Sequence, residues 1–114
     1  MTKLKLTGNG RAENVATMVR AYLLNSVPGC RLVDETSDIV NGSELYIKTF
    51  EQDLRRLGVT VNATVIILGG AKAVTVYVQG CYFSNTLLKR PVDASKELVD
   101  AVKHCLLELN FTVR

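Results

Sequence analysis

Two segments in the middle of the chain carry an apolar residue at every second position. In residues 59–68 the apolar positions are Val59, Val61, Ala63, Val65 and Ile67. In residues 74–83 they are Val74, Val76 and Val78. A period of two predicts β-strands that bury one face and leave the other polar. Because Gly69-Gly70-Ala71-Lys72 separates the two segments, the pattern predicts a hairpin.

Two other segments carry apolar residues at the spacing of an amphipathic helix. The first covers residues 11–27, where Asn9 or Gly10 can cap the helix and Pro28-Gly29 ends it. The second follows Pro91, with Asp93 as the expected cap. Its predicted buried stripe consists of Ala94, Leu98, Ala101, Val102, Cys105 and Leu109.

The segment between these helices has two interpretations. Tyr46, Phe50, Leu54 and Leu57 fall at i, i+4, i+8 and i+11, which predicts a helix that starts after Ser43 and stops at Gly58. The alternative is a strand at residues 44–48 followed by a shorter helix capped by Thr49. Residues 36–42, which are mostly polar, are expected to form a loop.

Short strands are expected at residues 3–7 and 30–33, with a further short strand possible in residues 110–114. The element order is then β-α-β-α-β-β-α, with or without a last β. It predicts one α/β or α+β domain over residues 1–114: a two-layer sandwich with a mixed four- to five-stranded sheet and about three helices on one face. The first β-α-β is expected to be a right-handed crossover between parallel strands, and the hairpin of residues 59–83 to lie at a sheet edge.

Charge and cysteine content narrow the functional classes. The net charge is +3, and Lys and Arg are spread along the chain rather than clustered as in dedicated nucleic-acid modules. Three cysteines at wide spacing, with no CxxC, indicate free thiols in a reducing compartment. No apolar run has the length of a signal peptide or a membrane span. We therefore expect a cytoplasmic protein that does not enter a membrane.

The first candidate site is the turn Gly8-Asn9-Gly10-Arg11 between a strand and a helix. Such a turn brings backbone amides and a helix N-terminus towards an anion, and Asp34 after the second strand could bind a ribose hydroxyl. However, Glu13 stands where a dinucleotide-binding unit needs its third glycine. The alternative is a turn with a purely structural role.

The second candidate site is the polar face of the predicted sheet. Its residues are Lys3, Lys5, Thr60, Asn62, Thr64, Thr75, Tyr77 and Gln79. A base could stack on Tyr77 while lysines hold phosphates, and the pair Arg55-Arg56 could add phosphate contacts. The alternative is an ordinary solvated or self-associating sheet face.

The sequence offers no assembled catalytic set. His104 is the only histidine, and the acidic residues Asp100 and Glu108 near it on a helix make a poor metal cage. We expect no metal and no cofactor, and a binding role rather than catalysis. The leading hypothesis is a small accessory protein, of a kind that phages and mobile elements often encode, acting as a homo-oligomer through protein–protein contacts. The alternatives are nucleotide or phosphometabolite binding at Gly8–Arg11 and nucleic-acid binding through the polar face.

Overall fold

The computed structural model describes residues 2–54, 58–84 and 95–114, and it has two layers. One layer is a six-stranded antiparallel sheet and the other consists of two helices, which makes the fold α+β. The strands are β1 (Thr2–Gly8), β2 (Cys30–Val40), β3 (Ser43–Leu54), β4 (Val59–Gly69), β5 (Val74–Ser84) and β6 (Thr112–Val113). The helices are α1 (Ala12–Ser26) and α2 (Ser95–Glu108). The strand order across the sheet is β2-β3-β4-β5-β1-β6.

The alternating residues of β4 and β5 form the centre of the core, as the sequence predicted. The apolar residues of β4 from Val59 to Ile67 and those of β5 from Val74 to Val78 are fully or almost fully buried. They pack under Val15, Val19 and Leu23 of α1 and under the apolar stripe of α2. Both helices lie on the same side of the sheet, so the other side carries no helix in the described part of the chain.

A glycine in β5 sets how closely α2 approaches the sheet. A Cβ atom added at Gly80 would lie 2.5 Å from Cγ2 of Val99, well inside van der Waals contact. The backbone of β5 therefore supports α2 directly. Any larger residue at this position would push the helix away from the core.

The predicted middle helix is wrong, because residues 43–54 form strand β3. The alternative was correct for the strand at residues 44–48, but no helix starts at Thr49 and the strand continues to Leu54. Phe50 and Gln52 are buried under α1 and pair with Ala63 and Val61 of β4. A spacing of four residues also keeps side chains on one face of a strand, so the pattern fits both structures.

The predicted loop at residues 36–42 is also wrong. Residues 30–40 are the long edge strand β2, which pairs antiparallel with β3 along its whole length and has a bulge at Val33. Asn41 and Gly42 have φ angles of 52° and 78° and form the two-residue turn between β2 and β3. The strand was missed because its side chains are mostly exposed on both faces, which leaves no hydrophobic alternation.

The topology differs from the prediction in three respects. Every strand pairing in the described residues is antiparallel, so the sheet is not mixed. Strands β1 and β2 run in the same direction but are separated by three other strands, so they form no adjacent parallel crossover unit. The β4–β5 hairpin lies in the centre of the sheet rather than at an edge. The edges are β2 and the two-residue strand β6.

Candidate functional site: the open sheet face

The side of the sheet that faces away from the two helices, here called the open face, collects the predicted polar residues. The register places Lys3, Gln79 and Thr64 in one row across the strands, and Lys5 beside Tyr77 in the next. The open face includes Lys3, Lys5, Thr60, Asn62, Thr64, Thr75, Tyr77 and Gln79. Arg55 and Arg56 lie outside the described residues.

The open face is less polar than the sequence suggested. Leu45 pairs with Leu68, and Ile47 pairs with Ile66, which in turn pairs with Tyr77. We call these five side chains the apolar patch; four are half-buried and Tyr77 is 42% exposed. Ile66 and Leu68 share one face of β4 with Thr64. Their place on the open face could have been recognised from the period of two in this strand. Leu45 and Ile47 were hidden by the helix prediction.

One edge of the open face is basic. Lys3 and Lys5 of β1 lie beside Arg114, whose backbone N–H donates to the carbonyl of Lys5 over 2.8 Å. Nε of Arg114 also donates to the Oγ1 of Thr7 over 2.9 Å, which holds its guanidinium over the strand. The ammonium of Lys5 lies 5.5 Å from the centroid of the Tyr77 ring, within the range of a cation–π contact. We call Lys3, Lys5 and Arg114 the basic strip; Arg114 was not among the predicted site residues.

The opposite edge is acidic. Asp34 and Asp38 of β2 are exposed and pair with Thr49 and Leu45, which places both on the open face. We call these two carboxylates the acidic strip. Asp38 accepts a hydrogen bond from the Ile39 backbone over 2.7 Å, and no ion pair within the described residues involves Asp34. Arg31 of β2 lies on the same face, where Glu51 of β3 pairs with it. The net charge of the face therefore runs from positive at β1 to negative at β2, with the apolar patch between.

The turn at Gly8–Arg11 has a structural explanation in packing. A Cβ atom at Gly8 would lie 2.5 Å from Cγ and 2.7 Å from Cε1 of Phe111, a buried side chain that covers the turn. Gly10 has a φ of +116°, which favours glycine, and faces open space. Arg11, the residue before α1, is exposed and makes no side-chain capping hydrogen bond.

The structure does not bring Asp34 to this turn. Gly8 ends β1, the fifth strand of the sheet, whereas Asp34 lies on β2, the first. Four strand spacings separate them, which is about 19 Å across the sheet. The prediction that Asp34 and the glycine turn form one ribose–phosphate site is therefore wrong, because it assumed that β1 and β2 are neighbours.

Several ionisable groups pair with one another on the helix side of the sheet. Nζ of Lys48 donates to Oε2 of Glu35 over 2.7 Å, and this hydrogen bond and charge lower the pKa of Glu35. The hydroxyl of Tyr46 donates to Glu44 over 3.1 Å, and desolvation and this partner raise the pKa of Tyr46. The Lys48–Glu35 pair joins β3 to β2, whereas the Tyr46–Glu44 pair lies within β3.

Histidine and cysteine side chains are dispersed in the structure. His104 contacts Glu108 over 3.0 Å, and its ring lies 6.0 Å from the ring of Tyr22. Burial raises the pKa of the Cys30 and Cys105 thiols, whereas Cys81 is exposed on the open face. Residues 2–54, 58–84 and 95–114 contain no cluster of side chains suited to hold a metal ion. Neither of the two described helices could span a membrane.

Comparisons with known proteins give no family. No protein-family model matches the chain, and no curated protein matches it in sequence. A solved protein of unknown function from Pseudomonas aeruginosa, PA94, is 16% identical over 71% of this chain, with a TM-score of 0.48. The match covers 63% of PA94, less than two thirds of its length.

Norcoclaurine synthase from Thalictrum flavum is also similar in structure. In complex with a transition-state analogue it is 12% identical over 96% of this chain and 94% of its own, with a TM-score of 0.43. In complex with dopamine and hydroxybenzaldehyde it is 12% identical over 94% and 86%, with a TM-score of 0.40. Likenesses this distant concern the general α+β arrangement and carry no functional conclusion.

Proposed function

We propose that this chain is a non-enzymatic binding protein that forms a homo-oligomer through protein–protein contacts of its open face. The apolar patch is the observation that carries the proposal. Leu45, Ile47, Ile66, Leu68 and Tyr77 are contiguous across three neighbouring strands, and no described element covers them. Contiguous apolar side chains rimmed by polar ones are typical of protein interaction sites.

The position of the patch favours a protein partner over a small molecule. The face has a shallow, open depression of about 480 Å³ beside Lys5, Ile66 and Tyr77, whereas small-molecule sites usually enclose most of the ligand surface. Two sheets can pack face to face about 10 Å apart with their side chains interdigitated. Because the apolar patch extends across three strands, a second sheet face complements it better than a compact ligand does.

An apolar-to-lysine substitution tests the proposal. Ile66→Lys places a charge in the centre of the patch, and Leu107→Lys is the matched control, because Leu107 is 44% exposed on α2 on the opposite side of the molecule. We expect size-exclusion chromatography with light scattering to find an oligomer for wild type and Leu107→Lys and a monomer for Ile66→Lys. Equal masses for all three proteins would contradict the proposal.

A second candidate function is binding of single-stranded nucleic acid along the basic strip. The Lys5 ammonium beside the Tyr77 ring favours it, because an aromatic platform next to cations suits a base and its phosphate. The acidic strip on the same face opposes it. Tyr77→Ala should then weaken binding by roughly 1–3 kcal/mol, and added salt should weaken it steeply. Binding that is absent or insensitive to salt in a gel-shift assay would exclude this function.

A further inference from the structure

The open face is complementary to itself, and this complementarity defines one way for two copies to meet. We infer that the partner of the open face is a second copy of the chain, related by a two-fold axis that runs parallel to the strands along β4. The inference rests on the proposed function, because it specifies the geometry of contacts made by the same face. It adds that Lys3 and Lys5 in the basic strip of each copy bind the acidic strip of the other.

The direction of the axis follows from the charges. When two sheets meet face to face, a two-fold axis must lie in the plane between them. An axis perpendicular to the strands would place each basic strip over the partner's basic strip. An axis parallel to the strands exchanges the two edges, so that the basic strip of one copy lies over the acidic strip of the other. Only the second arrangement pairs opposite charges.

The position of the axis follows from the register. Lys3 and Asp34 lie in the same row, on the second strand to either side of β4. An axis along β4 therefore places Lys3 opposite the partner's Asp34, and Lys5 between the partner's two aspartates. In the same arrangement Ile66 of one copy faces Ile66 of the other copy on the axis.

The apolar patch is brought together by the same axis. A two-fold axis parallel to the strands keeps each strand end at the same height in both copies, so the patch of one copy covers the patch of the other. Ile47 on β3 then lies over the partner's Tyr77 on β5, because these strands flank β4 on either side. Apolar packing is thus compatible with the arrangement that charge pairing selects. Parallel alignment of the strands is also the usual orientation of two packed sheets.

The area of the open face is sufficient for a stable dimer. An axis along β4 overlaps the five strands from β2 to β1, which together are about 24 Å wide, and strands of 11 residues are about 36 Å long. With allowance for the shorter strand β1, coverage of these five strands would bury on the order of 700 Å² per copy, close to the roughly 800 Å² of a standard interface. The face is large enough for a dimer without any additional segment.

Charge reversal with complementation tests this geometry. Lys3→Glu/Lys5→Glu should place like charges together at both ends of the interface, as should Asp34→Lys/Asp38→Lys. We expect each variant alone to have a homodimer Kd raised about tenfold or more. An equimolar mixture should form a heterodimer of near wild-type affinity, because each reversed strip then meets its opposite. Native mass spectrometry distinguishes this heterodimer from either homodimer by mass.

Controls separate the geometry from the proposed function. Arg20→Glu/Lys96→Glu reverses two exposed cations on the helices and should leave dimerisation unchanged. If the strip variants dimerise like wild type while Ile66→Lys is monomeric, the inferred axis is overturned and the apolar contact stands. If wild type is monomeric at every accessible concentration, both the inference and the proposed function fail, and the face is left to a different partner.

Discussion

The contact between Gly8 and Phe111 gives a prediction that separates packing from ligand binding at the glycine turn. The Cβ atom introduced by Gly8→Ala would lie within 2.7 Å of three ring atoms of Phe111, and apolar carbons normally lie about 3.5–4.0 Å apart. The ring must therefore move by about 1 Å in a close-packed region. Overpacking of this kind costs about 1–3 kcal/mol, which we expect as the loss in free energy of unfolding for Gly8→Ala.

A double-mutant cycle isolates this contact. Phe111→Ala alone should cost about 3–5 kcal/mol as a core truncation. Once the ring is removed, Gly8→Ala should cost close to nothing, which gives a coupling energy of about 1–3 kcal/mol between the two sites. Urea unfolding followed by far-ultraviolet circular dichroism measures all four proteins, and Phe111→Leu replaces Phe111→Ala if the double variant does not fold.

The neighbouring glycine provides the control for the cycle. Gly10→Ala meets no atom within 4 Å but imposes a φ of +116° on an alanine, so its cost is backbone strain of about 1–3 kcal/mol. That cost should be the same with and without the Phe111 ring. If Gly8→Ala is equally destabilising in both backgrounds, the packing explanation for Gly8 is refuted.

Three further predictions concern other parts of the structure. Iodoacetamide at neutral pH should alkylate Cys81 in dilute protein well before Cys30 and Cys105, because burial raises the pKa of the Cys30 and Cys105 thiols. Equal alkylation rates at the three cysteines, measured by peptide mass spectrometry, would contradict this prediction. Glu35→Gln should lower Tm at neutral pH, because it removes the charge that pairs with Lys48. The difference in Tm from wild type should vanish as the pH falls from the ordinary carboxyl pKa through the lowered pKa of Glu35, since protonation ends this pairing. A difference in Tm that does not depend on pH would refute the prediction. Gln52→Ala should lower the free energy of unfolding in urea by about 1–3 kcal/mol, because Nε2 of this buried side chain donates to the carbonyl of Pro28 over 3.0 Å. The control Gln79→Ala, at an exposed position, should be nearly neutral. Equal losses for the two variants would exclude a role for that hydrogen bond.

The parts of the fold that bury one face were predictable from the sequence. Strand β4 carries an apolar residue at every second position from 59 to 67, and β5 does so from 74 to 78. Helices α1 and α2 carry apolar residues at helical spacing, so each pattern allowed one interpretation. Strand β3 allowed two, because Tyr46, Phe50 and Leu54 share one face of a strand as readily as one stripe of a helix. Strand β2 gave no hydrophobic pattern, since it is an edge strand held by backbone pairing to β3.

The candidate site was predictable only in part, because alternation within a strand does not reveal the order of the strands in the sheet. The polar rows of β1, β4 and β5 follow from alternation within each strand. Their relation to the acidic strip depends on strand order, which is set by pairings between residues far apart in sequence, such as Lys5 with Tyr77. Two of the five side chains of the apolar patch lie on β3, and assignment of that segment to a helix removed Leu45 and Ile47 from the predicted face.

The central claim is that the open face joins two copies of the chain. Sedimentation equilibrium of the wild-type protein over a range of micromolar concentrations tests it most directly. We expect the mass to approach twice the 12.5 kDa of one chain as the concentration rises. A mass that stays at 12.5 kDa throughout would contradict the claim.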